Sequence, residues 1–102
     1  MKNITIAGVS YPYKFGRAVW AAFEKRTKIR VSQLQEAFEM EHQLLLCYLA
    51  LEFAAKVNGD KLPFDMEKFT LLDYEHEFID EMWEELEGSK KKQVALIFER
   101  DK

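Results

Sequence analysis

The chain has 102 residues, of which 48% are hydrophobic and 14% aromatic, and its 15 basic and 18 acidic residues give a net charge of −3. This composition fits one globular domain and excludes an intrinsically disordered chain. The weak net acidity gives no overall attraction to nucleic acid. The single cysteine excludes an intrachain disulfide and favours a reducing, cytoplasmic compartment.

The sequence predicts neither a signal peptide nor a membrane-spanning segment. The first six residues contain no long apolar run, and the longest apolar stretch, residues 44–55, is interrupted by Glu52. That stretch is too short for a bilayer, which needs about 20 residues. We therefore expect no membrane association.

Charge is distributed unevenly along the chain. Residues 1–32 contain seven basic residues and one acidic residue, whereas residues 60–87 contain two basic and eleven acidic residues. A basic front and an acidic back can pair within one fold or between neighbouring copies of the chain.

The first residues predict a β-hairpin over 3–15. Residues 4–7 form a β-like run, Gly8-Val9-Ser10 is expected to form the turn, and aromatic residues alternate on the second strand. Pro12 lacks a backbone donor, so this strand is expected at a sheet edge.

Two helices are predicted next. Residues 17–26 form a short amphipathic helix, and a longer one begins beside Ser32, which forms a capping box with Gln35. The long helix runs to Val57, because an Asn-Gly pair follows it. Its second half, residues 44–51, is apolar on every side, which is typical of a helix that is wrapped by its own fold or shared with another subunit.

The acidic region 66–87 is predicted to hold one helix or two. Asp65 can cap a short helix near 66–73, and Thr70 could cap a later one instead. The last helix has a clear apolar stripe and is predicted to end at Gly88. That stripe consists of Phe78, Ile79, Met82, Trp83 and Leu86.

Residues 89–93 are predicted to form a polar hinge. Residues 94–98, Val-Ala-Leu-Ile-Phe, are too apolar for a free tail. We expect them to form a strand or a helix that docks on this domain or on a neighbour.

Two spacings suggest metal ligands. Glu39 and Asp73 each precede a histidine by three residues, His42 and His76, and residues at this spacing share a helix face. Carboxylate-bridged di-iron bundles use the same spacing together with two further glutamates, for which no matching pattern exists here. We therefore expect no metal site and solvated or capping histidines.

Other catalytic and binding patterns are weaker. Cys47 lies in the most apolar stretch, where a thiol stays protonated, so we expect it in the core. A basic cluster with interleaved aromatic residues could hold single-stranded nucleic acid, or it could be a solvated helix face beside the core. Its members are Lys14, Arg17, Lys25, Arg26, Lys28 and Arg30, with Tyr11, Tyr13 and Trp20 between them.

The order of the elements resembles that of the tail assembly chaperones of long-tailed bacteriophages and prophages. Those small proteins open with a β-hairpin, here residues 4–15, and a short helix, here 17–26. A long apolar helix follows, here 33–57, and acidic helices close the domain, here 66–73 and 75–87.

This resemblance implies a non-enzymatic protein, without a cofactor, in the cytoplasm of the bacterial host. Such chaperones coat the long helical tape measure protein until tail tube subunits polymerise around it, and they often self-associate. Many are made in two lengths through a ribosomal frameshift at an A-rich codon run, which the codons for residues 90–92 could supply.

On this basis we expect apolar helix residues to bind the tape measure protein, and others to bind a second copy of the chain in a homo-oligomer. The predicted partner-binding residues are Leu45, Leu49, Phe53, Phe78, Met82 and Trp83. The predicted self-association residues are Leu46 and Leu51.

The predicted fold class is mainly α with a small N-terminal β-hairpin (α+β), built on one long central helix. Residues 1–88 are expected to form the single domain and residues 89–102 a C-terminal tail. The alternative function is a small nucleic-acid-associated regulator that uses the basic N-terminal third.

Overall fold

The structure, a computed structural model, describes residues 1–30 and 40–100, without the side chains of residues 83, 90 and 93–100. It confirms the mainly α fold with an N-terminal hairpin. The elements in chain order are β1 (Lys2–Ile6), β2 (Val9–Tyr13), α1 (Arg17–Thr27), α2 (Met40–Val57), α3 (Met66–His76) and α4 (Ile79–Arg100).

The two strands pair antiparallel around a tight turn. Ile6 pairs with Val9, and the two residues between them have positive φ angles, 52° at Ala7 and 83° at Gly8. The prediction that Gly8-Val9-Ser10 forms the turn is therefore wrong, because Val9 and Ser10 belong to β2. A two-residue turn with left-handed backbone at both positions matches the twist of the strands, and glycine adopts that conformation at little cost.

The predicted short helix is confirmed as α1. Its inner side contributes Val19, Trp20 and Phe23 to the core. The helix ends where Lys28 adopts a left-handed conformation and its backbone N–H donates to the carbonyl of Glu24 at 2.8 Å. This hydrogen bond gives a partner to a carbonyl at the end of α1 that would otherwise have none within the helix.

The central helix α2 is described from Met40, so its predicted start beside Ser32 and Gln35 lies outside the described residues. Its end after Val57 is confirmed. The N–H of Gly59 donates to Lys56 and that of Asp60 to Ala55, the paired bonds of a Schellman motif. Gly59 supplies the positive φ angle, 76°, that this motif needs.

The apolar half of α2 is buried by its own chain. Strand β2 and helices α1, α3 and α4 all pack against α2, so residues 46–51 are each no more than 8% exposed. The other elements of the same chain are therefore enough to cover this half of α2, although it is apolar on every side.

The acidic region forms two helices. Asp65 caps α3 as predicted, since its carboxylate accepts from the N–H of Lys68 at 2.9 Å, while Thr70 lies inside the helix. Glu77 adopts a left-handed conformation that ends α3 and changes the direction of the chain before α4. The Asp73 carboxylate accepts a hydrogen bond from the N–H of Ile79 at 2.9 Å. One side chain at the end of α3 thus caps α4.

The prediction that Gly88 ends the last helix is wrong, because α4 runs from Ile79 to Arg100. A glycine inside a helix costs about 1 kcal/mol relative to alanine, which the neighbouring residues can offset. Lysine, glutamine, alanine and leucine follow within residues 90–96 and are good helix formers. The helix therefore passes without a break through the predicted boundary between domain and tail.

Candidate protein-binding surface

The first half of α4 is anchored to the rest of the protein. Met82 and Leu86 are fully buried, and Ser89 follows them on the same side of the helix. The indole N–H of Trp20 donates to the Ser89 hydroxyl at 2.7 Å, and this hydroxyl donates to the carbonyl of Phe15 at 2.8 Å. Ser89 therefore ties α4 to α1 and to the end of the hairpin.

We expect Ser89→Ala to lower the free energy of unfolding by about 1–3 kcal/mol, because the buried indole N–H of Trp20 loses its acceptor. Urea denaturation followed by circular dichroism measures this change. Ser10→Ala in β2 is the control, since Ser10 is exposed and should change stability by less than about 0.5 kcal/mol. Equal stability of the Ser89 variant and the parent would show that the bond contributes nothing.

The second half of α4 contains a run of consecutive apolar residues, which is too long to lie on one side of a helix. Residues 94–98 are consecutive, and successive helix residues are about 100° apart. The five residues therefore span more than one full turn of α4, so they cannot all share one side of the helix.

The structure buries most of the residues that we predicted to contact partners. Leu46 and Leu51, the predicted self-association residues, are 0% exposed. Leu49, Phe78 and Met82 are also buried. These side chains belong to the core, because four elements close around α2. The contacts predicted for them stay predictions. A partner could reach them only if the fold opened.

Two of the predicted contact residues keep some exposure. Leu45 and Phe53 are partly buried and pack against the core, and Val57 at the end of α2 is 57% exposed. The side chain of Trp83 lies outside the described part of the structure. The accessible apolar surface of α2 is therefore narrow.

Burial explains why Cys47 offers no nucleophile. Its side chain is fully buried, as predicted, and desolvation raises the pKa of the thiol to about 12, with a smaller contribution from the charge of Asp73. A thiol with this pKa carries almost no thiolate near pH 8, and the thiolate is the reactive form.

We expect the native protein not to react with a chromogenic disulfide reagent at pH 8, and to expose one reactive thiol per chain when it is unfolded in urea.

The raised pKa of Cys47 also predicts how stability depends on pH. The folded state keeps the Cys47 proton while the unfolded state loses it near pH 9, so stability should fall as the pH rises from about 9 to about 12. Rapid labelling of the thiol in the native protein would contradict the burial of Cys47.

The histidine pairs do not form a described metal site. Glu39 lies outside the described residues, and the His42 ring packs edge-on against Phe23 with ring centroids 5.7 Å apart. His76 is exposed at the end of α3, beside Glu75. Within residues 1–30 and 40–100, no group of three or more histidine, cysteine, aspartate or glutamate side chains could hold a metal ion.

The aromatic residues of the basic cluster are not available for base stacking. Tyr13 and Trp20 are buried, and the partly buried Tyr11 packs edge-on against Phe64. Nucleic-acid channels combine cations with exposed aromatic faces. The structure leaves the cations of this cluster at the surface without those faces.

Comparisons of the chain with protein-family models, with curated proteins and with solved structures find no match. None of the helices that the structure describes is long and apolar enough to cross a membrane.

No local sequence pattern predicts the role of Ser89. Its partners, Trp20 and Phe15, are 69 and 74 residues away in the chain. The sequence shows the apolar run at 94–98, but the prediction that Gly88 ends the helix separates this run from α4. The candidate binding surface is therefore the end of α4, which the sequence placed in a tail.

Proposed function

We propose that this protein is a non-enzymatic tail assembly chaperone that associates with copies of itself and binds helical segments of the tape measure protein. The order of hairpin, short helix, apolar central helix and acidic helices supports this proposal. The alternative of a nucleic-acid-associated regulator loses support because Tyr13 and Trp20 are core residues.

The observation that carries the proposal is the continuation of α4 into residues 94–98. An apolar run on a helix needs cover by another apolar surface, and a second helix provides it through interdigitating side chains. The core of this chain is already closed around α2. The end of α4 is thus the place where a helical partner adds most apolar contact.

The size of this surface suits a chaperone that must later release its client. Five apolar residues can form only a small interface, and small interfaces are typical of transient complexes. A tape measure protein exposes long apolar helical faces that would aggregate without cover. Tail tube subunits could then displace many weakly bound chaperones in succession.

The test is binding to a tape measure fragment. The chain should be co-expressed with a helical fragment of the tape measure protein from the same genome and analysed by size-exclusion chromatography with light scattering. We expect a complex of defined mass, and oligomers of the chain alone whose mass rises with concentration. The matched control is the same fragment with its apolar stripe replaced by serine and glutamine. A chain that stays monomeric and forms no complex would overturn the proposal.

A further inference from the structure

One side of α1 is not covered by the described part of the protein. Arg17, Ala18, Ala21 and Lys25 are exposed and recur at the spacing of a single helix face, and the exposed Lys28 directly follows this helix. The opposite side of α1 is the one that enters the core. We call these five residues the basic face of α1.

The chemistry of this face suits an acidic helix. The alanines allow a second helix to approach closely, since interaxial distances of about 8–10 Å depend on the side chains at the contact. The cations at both ends can then form ion pairs with carboxylates. Arg17 also borders a groove with Glu84 and Glu85 of its own chain, so Lys25 and Lys28 are the better reporters of an external contact.

The chain carries a matching surface elsewhere. Asp80, Glu81 and Glu84 are exposed along the start of α4, and no lysine or arginine occurs between residues 69 and 89. Acidic residues in the first turn of a helix interact favourably with its dipole, which accounts for Asp80 and Glu81. Glu84 lies one turn further along α4, where the charge of Lys2 and the groove that Arg17 also lines are close to it within the same chain. We call these three residues the acidic face of α4.

We propose that the basic face of α1 in one copy binds the acidic face of α4 in the next copy. The contact is head-to-tail, because it joins two different surfaces, and each added copy presents both surfaces again. This inference rests on the self-association in the proposed function and names the surfaces that produce it. A second copy is the favoured occupant because the chain itself supplies the complementary charge.

Nucleic acid is a poorer occupant of the basic face. Its phosphates would meet the cations, but Tyr13 and Trp20 are buried and offer no stacking surface. The acidic face of α4 would also repel a polyanion that extends along the protein.

Charge reversal tests the contact. Two variants are needed, Lys25→Glu with Lys28→Glu and Asp80→Lys with Glu84→Lys, together with the variant that combines all four changes. Sedimentation velocity at 50 and 500 mM salt measures association, and circular dichroism checks folding. Because salt screens ion pairs, we expect the parent to associate about tenfold more weakly at the higher salt.

Each double variant should be monomeric alone, an equimolar mixture of the two should associate, and the combined variant should associate again. Association of each double variant at the parental strength, or a folded combined variant that remains monomeric, would overturn the inference. Salt-sensitive binding of the parent to labelled single-stranded DNA, lost in the Lys25 and Lys28 variant while self-association persists, would also overturn it.

Binding of the tape measure fragment separates this inference from the proposed function. Double variants that are monomeric and still bind the fragment support both statements. A parent that associates through these charges but binds no fragment supports the inference and removes the client-binding function.

Discussion

Phe69→Ala is expected to lower the free energy of unfolding by about 3–5 kcal/mol, the largest effect of a single substitution in this chain. Phe69 is 0% exposed and its ring lies 5.2 Å from that of Phe78, 5.7 Å from that of Tyr48 and 6.0 Å from that of Phe64, measured between centroids. These rings belong to α2, α3, the loop before α3 and the residue before α4. Removal of the ring therefore leaves a cavity where these segments meet.

Leu71→Ala on the same helix is the matched control. Leu71 is 54% exposed, so its truncation should cost less than about 0.5 kcal/mol. Equilibrium unfolding in urea measures both variants. A loss below about 1 kcal/mol for the Phe69 variant would mean that the aromatic cluster does not join the helices as described.

Val94→Glu combined with Phe98→Glu is expected to weaken binding of the tape measure fragment about a hundredfold, because two apolar contacts are replaced by charges that must be desolvated. The free energy of unfolding should change little. Both residues belong to the apolar run 94–98, which follows the half of α4 that Met82 and Leu86 anchor in the core. Calorimetric titration of the purified fragment measures the affinity.

Leu71→Glu combined with Tyr74→Glu provides the comparison for this effect. Both side chains are apolar or aromatic and exposed, at 54% and 85%, but they lie on α3. We expect this control to bind the fragment with an affinity close to that of the parent. If the two pairs of substitutions weaken binding equally, or if neither does, the end of α4 is not the contact surface.

Local signals predicted much of the fold. The Asp65 cap, the glycine after α2 and the apolar periodicity of α1 are each satisfied by residues within a few positions, so sequence spacing is enough to find them. The end of α4 shows the limit of such signals. Gly88 is compatible with a helix end, but strong helix formers on its C-terminal side outweigh its propensity.

The candidate site was harder to predict, because exposure depends on tertiary packing. Leu45 and Leu46 are adjacent and chemically equal, yet one is partly exposed and the other fully buried. The sequence showed more apolar helix than one small core was expected to hide. The structure places Leu46 and Leu51 inside the core and continues α4 through residues 94–98, which the sequence had separated from this helix at Gly88.

Hydrogen exchange measured by mass spectrometry, with and without the tape measure fragment, tests most directly whether the chain binds its client with the end of α4. We predict that the fragment slows exchange of the amides of residues 93–100 and leaves those of residues 46–51, which are protected by the core, unchanged. Unchanged exchange at 93–100 in a formed complex, or altered exchange at 46–51, would contradict the account and indicate that the client enters through an opened core.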